Sequence, residues 1–307
     1  MTARMDNADE PAAVLLAAPD LPPIIAPPRR AGPLATFVRR NPTIVVGGLL
    51  LTLIALAAVF APWLWTVDPQ ALAPAKRVRP PSELYWFGTD DLGRDVYSRV
   101  IYGARISLVV GAAVAAVATL LGVIVGVVSG FVRWLDPIAM RIIDGLMSIP
   151  SVLIAIALLG VARGSIANVI IAVALAEFPR VARLVRGVVL SLREQTYVSA
   201  AVACGSSPLR IMLRHILPNA MDPIIIQATY IGASAIVTEA VLSFLGVGTP
   251  QIIPSWGNIM AEGRALWQVK PYIVFFPSVF LCVTVLAVNL LSDGLLDLPD
   301  PRATKRI

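Results

Sequence analysis

Charged side chains are scarce in this sequence: Asp, Glu, Lys and Arg make up 14% of its 307 residues, whereas about 25% is usual in soluble domains. Hydrophobic residues reach 57%, and the mean hydropathy is +0.80. So few charges cannot keep this much apolar surface in water, and the same composition excludes an intrinsically disordered chain. The composition therefore indicates a protein whose solvent is the lipid bilayer.

Cysteine, histidine and nucleotide-binding motifs are also rare or absent. The two cysteines lie in very different sequence contexts, so a disulfide framework is not expected. The single histidine, His215, cannot build a histidine-rich metal site, and we interpret it as a packing or capping residue. The sequence contains no Walker A motif, so the chain is not expected to bind ATP through a P-loop. We predict that the chain is not an enzyme and has no catalytic residue, metal site or bound cofactor.

Six apolar stretches are each long enough to cross about 30 Å of hydrocarbon. The third is interrupted by Pro150, and only a short segment separates it from the fourth. The sequence therefore predicts an all-α integral membrane protein. Its six predicted transmembrane helices cover residues 43–65, 106–132, 142–161, 166–185, 220–246 and 271–291.

These six stretches divide the chain into four predicted regions. The regions are a disordered, proline-rich cytoplasmic tail over 1–40, the first helix with an external segment over 41–105, a five-helix core over 106–293 with a cytoplasmic loop over 186–219, and a cytoplasmic tail over 294–307. Most of the 25 Lys and Arg residues lie inside if both termini are cytoplasmic, as the positive-inside rule requires. The sequence thus predicts a multi-pass plasma-membrane protein, and its net charge of +6 needs no nucleic-acid partner.

The loop over 186–219 carries several helix boundary signals. Residues 197–204 form an alanine-rich helix candidate, and Gly205 suits a left-handed helix stop. Pro208 fits the first position of a second helix, which Pro218 would end. Two short helices outside the membrane would form a rigid knob on which a partner protein can push.

Within the loop, Tyr197-Val-Ser-Ala-Ala-x-x-x-Gly205 is followed by His215-Ile-Leu-Pro218-Asn219. This pattern resembles the EAA loop of ABC-importer permeases. Three further motifs are similar to dipeptide/oligopeptide permeases of the DppC/OppC type. They are Phe87-Gly-Thr-Asp-x-Leu-Gly-Arg-Asp95, Glu239-Ala-x-Leu-Ser-Phe-Leu-Gly246 and Pro254-Ser-Trp-Gly-Asn258.

The resemblance implies a type I (MetI-like) permease core and a subunit of an ATP-driven importer of di- or oligopeptides. It implies as partners a second homologous permease, two cytoplasmic ABC ATPases that bind ATP and Mg, and an extracytoplasmic substrate-binding protein. The loop would dock into a groove on an ATPase, although Ser199 stands where the family usually has glutamate. The residues assigned to this coupling role are Tyr197, Ser199, Ala200, Ala201, Gly205, Pro208, His215, Pro218 and Asn219.

Other cargoes and another class of transporter are the alternatives. Relatives of this type also carry glutathione, nickel complexes or haem. A gradient-driven transporter acting alone would explain the apolar stretches, but it would not explain the capped cytoplasmic loop, and no inverted repeat of broken helices is evident.

Carboxylates in apolar stretches are functional candidates because a bare charge in hydrocarbon is costly. Glu239 either lines the translocation path or pairs with a neighbouring helix, and Ser243 and Asn289 are candidates with it. Glu177 is expected nearer the cytoplasmic interface. In the external segment, either a local ion-pair cluster or contact with a binding protein is possible, and its candidate residues are Asp90, Gly93, Arg94 and Asp95.

Small residues repeat every fourth position in the second apolar stretch, at Gly122, Gly126 and Gly130. This spacing clears one face of a membrane helix, so that another backbone can approach closely. The face would pack either within this chain or against a second membrane subunit.

Overall fold

The computed structural model describes Val38 and residues 41–161 and 165–297. The predicted tails lie outside the described residues, apart from Val38 and residues 294–297. Within the described ranges the chain is helical, and a β-bridge joins Thr89 to Asp95. The helices are α1 (Pro42–Val59), α2 (Val96–Phe131), α3 (Asp136–Met147), α4 (Ser151–Val161), α5 (Ile166–Arg193), α6 (Thr196–Ala203), α7 (Pro208–Ile211), α8 (Met221–Phe244), α9 (Trp256–Gly263) and α10 (Tyr272–Leu296).

The glycine face of α2 packs against α5 within this chain, which confirms the first of the two predictions made for it. A Cβ at Gly126 would lie 2.6 Å from the carbonyl oxygen of Ala182, and one at Gly130 would lie 2.7 Å from Val189. Both contacts advance in the same direction along the two helices, so α2 and α5 run parallel. Only the missing side chains allow the two backbones to approach this closely.

Glycines also allow close contact in two other pairs of long helices. Gly111 of α2 faces Ile236 of α8, and this pair of helices is antiparallel. Gly47 of α1 faces Ala287 and Leu291 of α10, again in antiparallel fashion. The two helices of each of these pairs therefore run in opposite directions, whereas α2 and α5 run in the same direction.

The predicted count of six spans is not confirmed. Four helices, α1, α2, α8 and α10, are long and apolar enough to cross a membrane. The third predicted span is broken into α3 and α4, which are bent by 89° at the break before Ser151, and this pair would make a fifth. The fourth predicted span exists as α5, but this helix continues to Arg193 and carries charged residues from Glu177 onward.

Helix α2 begins at Val96, whereas the apolar pattern predicts a start near residue 106. Asp95 caps it, because its carboxylate accepts a hydrogen bond of 2.8 Å from the backbone N–H of Ser98. The additional turns carry Arg99 and Arg105, whose charges made this part of the sequence resemble a loop. We call this end of the bundle the α2 N-terminal end, and the opposite end, where residues 194–220 emerge, the loop end.

Candidate functional site

The loop predicted to couple to a partner forms two short helical segments, as its boundary signals predict. Gly205 between them has φ +76, in the left-handed region where glycine carries no steric cost. The second segment is α-helical only over Pro208–Ile211 and continues through a wider turn over Met212–Ile216. It therefore reaches Pro218 by a less regular path than a single predicted helix.

Three apolar side chains anchor this loop to the bundle, because Val198, Ile211 and Ile216 are buried. The rest of the knob is open to its surroundings, and at Gly205 no atom lies within 4 Å of where a Cβ would sit. Its exposed side chains include several apolar ones. These are Tyr197, Val202, Leu209 and Leu213.

The backbone carbonyl of His215 joins the two segments of the loop. It accepts a hydrogen bond from the side-chain amide of Asn219 and a long contact of 3.5 Å from the Tyr197 hydroxyl. Of the other predicted coupling residues, Ser199, Ala200 and Pro208 are exposed, and Ala201 is half-buried. An alanine-rich exposed face flanked by apolar side chains can enter a groove on another protein.

Arginine contacts tie the base of the loop to the bundle. Arg193, the last residue of α5, donates a hydrogen bond of 2.7 Å to the carbonyl oxygen of Gly130 at the end of α2. Arg186 makes a bidentate pair of 2.5 and 2.6 Å with Asp136 of α3. A push on the loop would therefore act directly on α2, α3 and α5.

At the α2 N-terminal end, the predicted ion-pair cluster exists but has different members. Asp90 accepts hydrogen bonds of 2.7 Å each from Arg94 and Arg99. Both arginines also pair with Glu262 of α9, a residue distant in sequence that the local pattern could not reveal. Asp95 is not part of the cluster, because it caps α2 instead.

Gly93 shapes the turn that brings this cluster together. It has φ +80, and a Cβ there would collide with the backbone carbonyl of Ala73. Asp90, Asp91 and Glu262 lie close enough to share a metal ion. The guanidinium groups of Arg94 and Arg99 already contact Asp90 and Glu262, so the arrangement is that of a buried salt-bridge network.

Glu239 lies in a buried cluster of hydroxyl groups between helices. It accepts hydrogen bonds from Ser243 at 2.7 Å and Thr249 at 3.2 Å, and Ser107 of α2 makes a longer contact of 3.5 Å. Asn258 donates to Thr249 at 3.1 Å and extends the network into α9. Glu239 thus meets a neighbouring helix, which is the second of the two alternatives raised by the sequence.

Asn289 is separate from this cluster and lines a cavity of about 440 Å³ that is widely open to the exterior of the chain, between α5, α8 and α10. Arg180 of α5 lines the same cavity. Arg180 was not among the predicted site residues, because an arginine after an apolar run resembles the end of a membrane span. Glu177, expected near an interface, is fully buried in the middle of α5.

Comparisons with known proteins agree with this architecture. Residues 118–305 match the family described as "Binding-protein-dependent transport system inner membrane component", and residues 38–81 match "N-terminal TM domain of oligopeptide transport permease C". Among solved structures, the MetNI methionine ABC transporter in an inward-facing conformation is similar in fold, with a TM-score of 0.56 and 19% identity over 68% of this chain and 97% of that chain.

Several named proteins are similar along most of the chain. The probable peptide ABC transporter permease protein y4tQ of Sinorhizobium fredii is 48% identical over 88% of this chain and 92% of its own length. The dipeptide transport system permease protein DppC of Alkalihalophilus pseudofirmus is 40% identical, with 86% and 88% covered. The glutathione transport system permease protein GsiD of Pectobacterium atrosepticum is 38% identical, with 87% and 89% covered. The resemblance inferred from the motifs is thereby confirmed, and the chain belongs to the family of binding-protein-dependent transport system inner membrane components.

Proposed function

We propose that this chain is a transmembrane permease subunit of an ATP-driven importer that carries di- or oligopeptides across the plasma membrane. It works with a second homologous permease, two cytoplasmic ABC ATPases that bind ATP and Mg, and an extracytoplasmic substrate-binding protein. Both of its termini are cytoplasmic. The chain itself binds no cofactor and catalyses no reaction.

The knob formed by α6 and α7 is the observation that carries this proposal. Its buried side chains fix it to the bundle, while Tyr197, Val202 and Leu209 remain exposed. An apolar surface on a short helix is what a groove on a partner protein binds. Arg193 links the knob to α2, so closure of the ATPase pair would move the membrane helices with it.

Peptides are the cargo named for two of the three similar proteins above, and glutathione is named for the third. We therefore place peptides first. Uptake of a radiolabelled alanine tripeptide by vesicles that contain the whole importer, with unlabelled glutathione as competitor, separates the two cargoes. Strong competition by glutathione would favour it instead.

The partners are tested by purifying the tagged chain from its native membrane in mild detergent and identifying the accompanying proteins by mass spectrometry. A second permease and one or two P-loop ATPases are expected. A chain that comes out alone in several mild detergents would contradict the proposal and favour a gradient-driven transporter, whose uptake a protonophore would abolish at constant ATP.

The role of the knob is tested by Gly205→Trp, with Gly205→Ala as the matched control. Both variants carry the cost of a left-handed non-glycine residue, about 1–2 kcal/mol, but only tryptophan adds bulk to the exposed surface. We expect the tryptophan variant to insert normally and to lose ATP-dependent uptake, while the alanine variant keeps most of it. Normal uptake by the tryptophan variant would exclude docking at this surface.

A further inference from the structure

The cavity between α5, α8 and α10 collects polar side chains in the middle of apolar helices. Its volume of about 440 Å³ lies within the range of roughly 300–1,000 Å³ for small-molecule sites. Its polar lining combines one charged group with hydroxyl and amide groups from two other helices. These residues are Arg180, Tyr230, Ser234, Thr238 and Asn289.

Arg180 lies at a depth where an arginine does not face lipid. The next residue on α5, Val181, packs against Gly122, within the apolar part of α2. The Arg180 side chain nevertheless remains 49% exposed. A charge at this depth faces water or another protein group, since exposure to hydrocarbon costs several kcal/mol. The polar side chains that line the cavity are the protein groups available to it.

The neighbouring arginines of α5 are used differently. Arg183 pairs with Asp144 and Arg186 with Asp136, so both bind carboxylates of α3 and serve the contact between these helices. Arg180 instead contacts Glu177 on its own helix, at 3.2 Å. It is therefore the arginine of this series that faces the cavity between helices.

Arg180 provides the positive charge that pairs with the carboxylate of Glu177. Glu177 is fully buried, and neither carboxylate oxygen receives a hydrogen bond from any described residue. The contact restrains one side of the guanidinium, which has five N–H donors in total. The remaining donors are available to a group that enters the cavity.

We propose that this cavity is a binding site on the transport path and that the Arg180 guanidinium binds the carboxylate of the passing peptide there. A guanidinium matches a carboxylate in a bidentate geometry, and the hydroxyl and amide groups of the lining can bind peptide groups beside it. The Tyr230 hydroxyl donates a hydrogen bond to Asp293, whose carboxylate places a negative charge near the cavity. A zwitterionic peptide carries a carboxylate that can pair with Arg180 and an ammonium group that can pair with Asp293.

This inference rests on the proposed function, and a transport experiment separates the two. The whole importer is reconstituted in vesicles, and uptake of a radiolabelled alanine tripeptide is measured per ATP hydrolysed. We expect Arg180→Gln to lower this ratio at least tenfold and Arg180→Lys to stay within threefold of the unmodified protein. Arg183→Gln, three residues along the same helix, is the matched control and should leave the ratio unchanged.

A double variant distinguishes cargo binding from simple neutralisation of Glu177. If Arg180 only neutralises that carboxylate, Glu177→Gln with Arg180→Gln should restore uptake. We expect uptake to stay low, because the cation that meets the peptide is still missing. Restored uptake, or equal loss in Arg180→Gln and Arg180→Lys, would overturn the inference. Failure of the unmodified importer to carry the tripeptide would instead overturn the proposed function and, with it, this inference.

Chemical labelling tests the cavity without any peptide. Cys204 and Cys282 are free and exposed, so both are first replaced by serine in the whole importer. Ser234→Cys is then reacted with a negatively charged sulfonatoethyl and a positively charged trimethylammonioethyl methanethiosulfonate. Arg180→Gln should lower the ratio of anionic to cationic reaction rates by about threefold or more, since a charge acts over this range at intermediate dielectric. An unchanged ratio, or no reaction with either reagent, would contradict an anion site reached by water.

Discussion

The charges at the two ends of the bundle are handled differently. At the α2 N-terminal end, Asp90 and Arg99 are 1% exposed at their side chains, and Arg94 and Glu262 complete their pairing. Toward the loop end, Arg183 and Asp144 pair while their side chains are 50% and 61% exposed. One set of ion pairs is buried in the protein, and the other stands in open surroundings.

This difference indicates which end is built to stay fixed and which to meet partners. A buried ion pair with every group satisfied holds one arrangement, because any opening leaves an uncompensated charge. Exposed pairs contribute little and can be exchanged for other contacts. The knob with its exposed apolar residues lies at the loop end, where a movable surface is needed. Substitutions of single residues at the two ends test this difference.

The largest loss of stability is expected from Arg99→Met. This change removes one cation from a buried network and leaves Asp90 and Glu262 to share Arg94, at a cost of about 3–5 kcal/mol. The measurement is the midpoint of thermal unfolding of the purified importer in detergent. A midpoint within the error of the unmodified protein would show that the network is not a stabilising core of this end.

The next loss is expected at Glu239, whose carboxylate accepts from several hydroxyl groups. Glu239→Ala removes that acceptor and leaves an empty space, so a loss of about 2–4 kcal/mol is expected. Glu239→Gln keeps the volume and one carbonyl acceptor, and about 1 kcal/mol is expected. Equal losses in the two variants would mean that the lost carboxylate, and not the empty space left by alanine, determines stability here.

Local patterns predicted the helices and the glycine contacts because their causes are local. Gly126 and Gly130 are spaced by one helical turn, and that spacing alone defines a face for close packing. Gly205 is likewise recognisable because a left-handed stop needs glycine. For the same reason, the broken third span could be suspected from Pro150, but the 89° bend depends on how α4 packs, which no local pattern encodes.

The polar sites were only half predictable, because their members come from distant parts of the chain. Asp90 and Arg94 are four residues apart and were grouped correctly, whereas Glu262 reaches them only through the folding of α9. Arg180 lines the cavity with Asn289, and nothing in the sequence relates these two positions. Helix rotation sets which side chains share a cavity, and packing alone fixes that rotation.

A smaller loss is expected from Arg186→Gln. Its bidentate pair with Asp136 is partly exposed, with side-chain exposures of 31% and 20%. Its contribution to the free energy of unfolding should therefore lie between those of the buried and the exposed pairs, at about 1 kcal/mol. The unfolding midpoint should fall by only a few degrees, since about 1 kcal/mol shifts it by 2–4 °C in chains of 150–250 residues. A loss as large as that of Arg99→Met would remove the distinction between the two ends.

The smallest effect is expected from Arg183→Gln. Its pair with Asp144 is half exposed on both sides, and such pairs are worth about 0–1 kcal/mol, so the unfolding midpoint of the isolated subunit should hardly move. Raising the salt concentration should have a similarly small effect on the unmodified subunit, because exposed charges are already screened. The same variant measured in the whole importer gives the sharper result. A large loss there, with none in the isolated subunit, would mean that a partner subunit buries this pair, and the loop end would then be open only until the importer assembles.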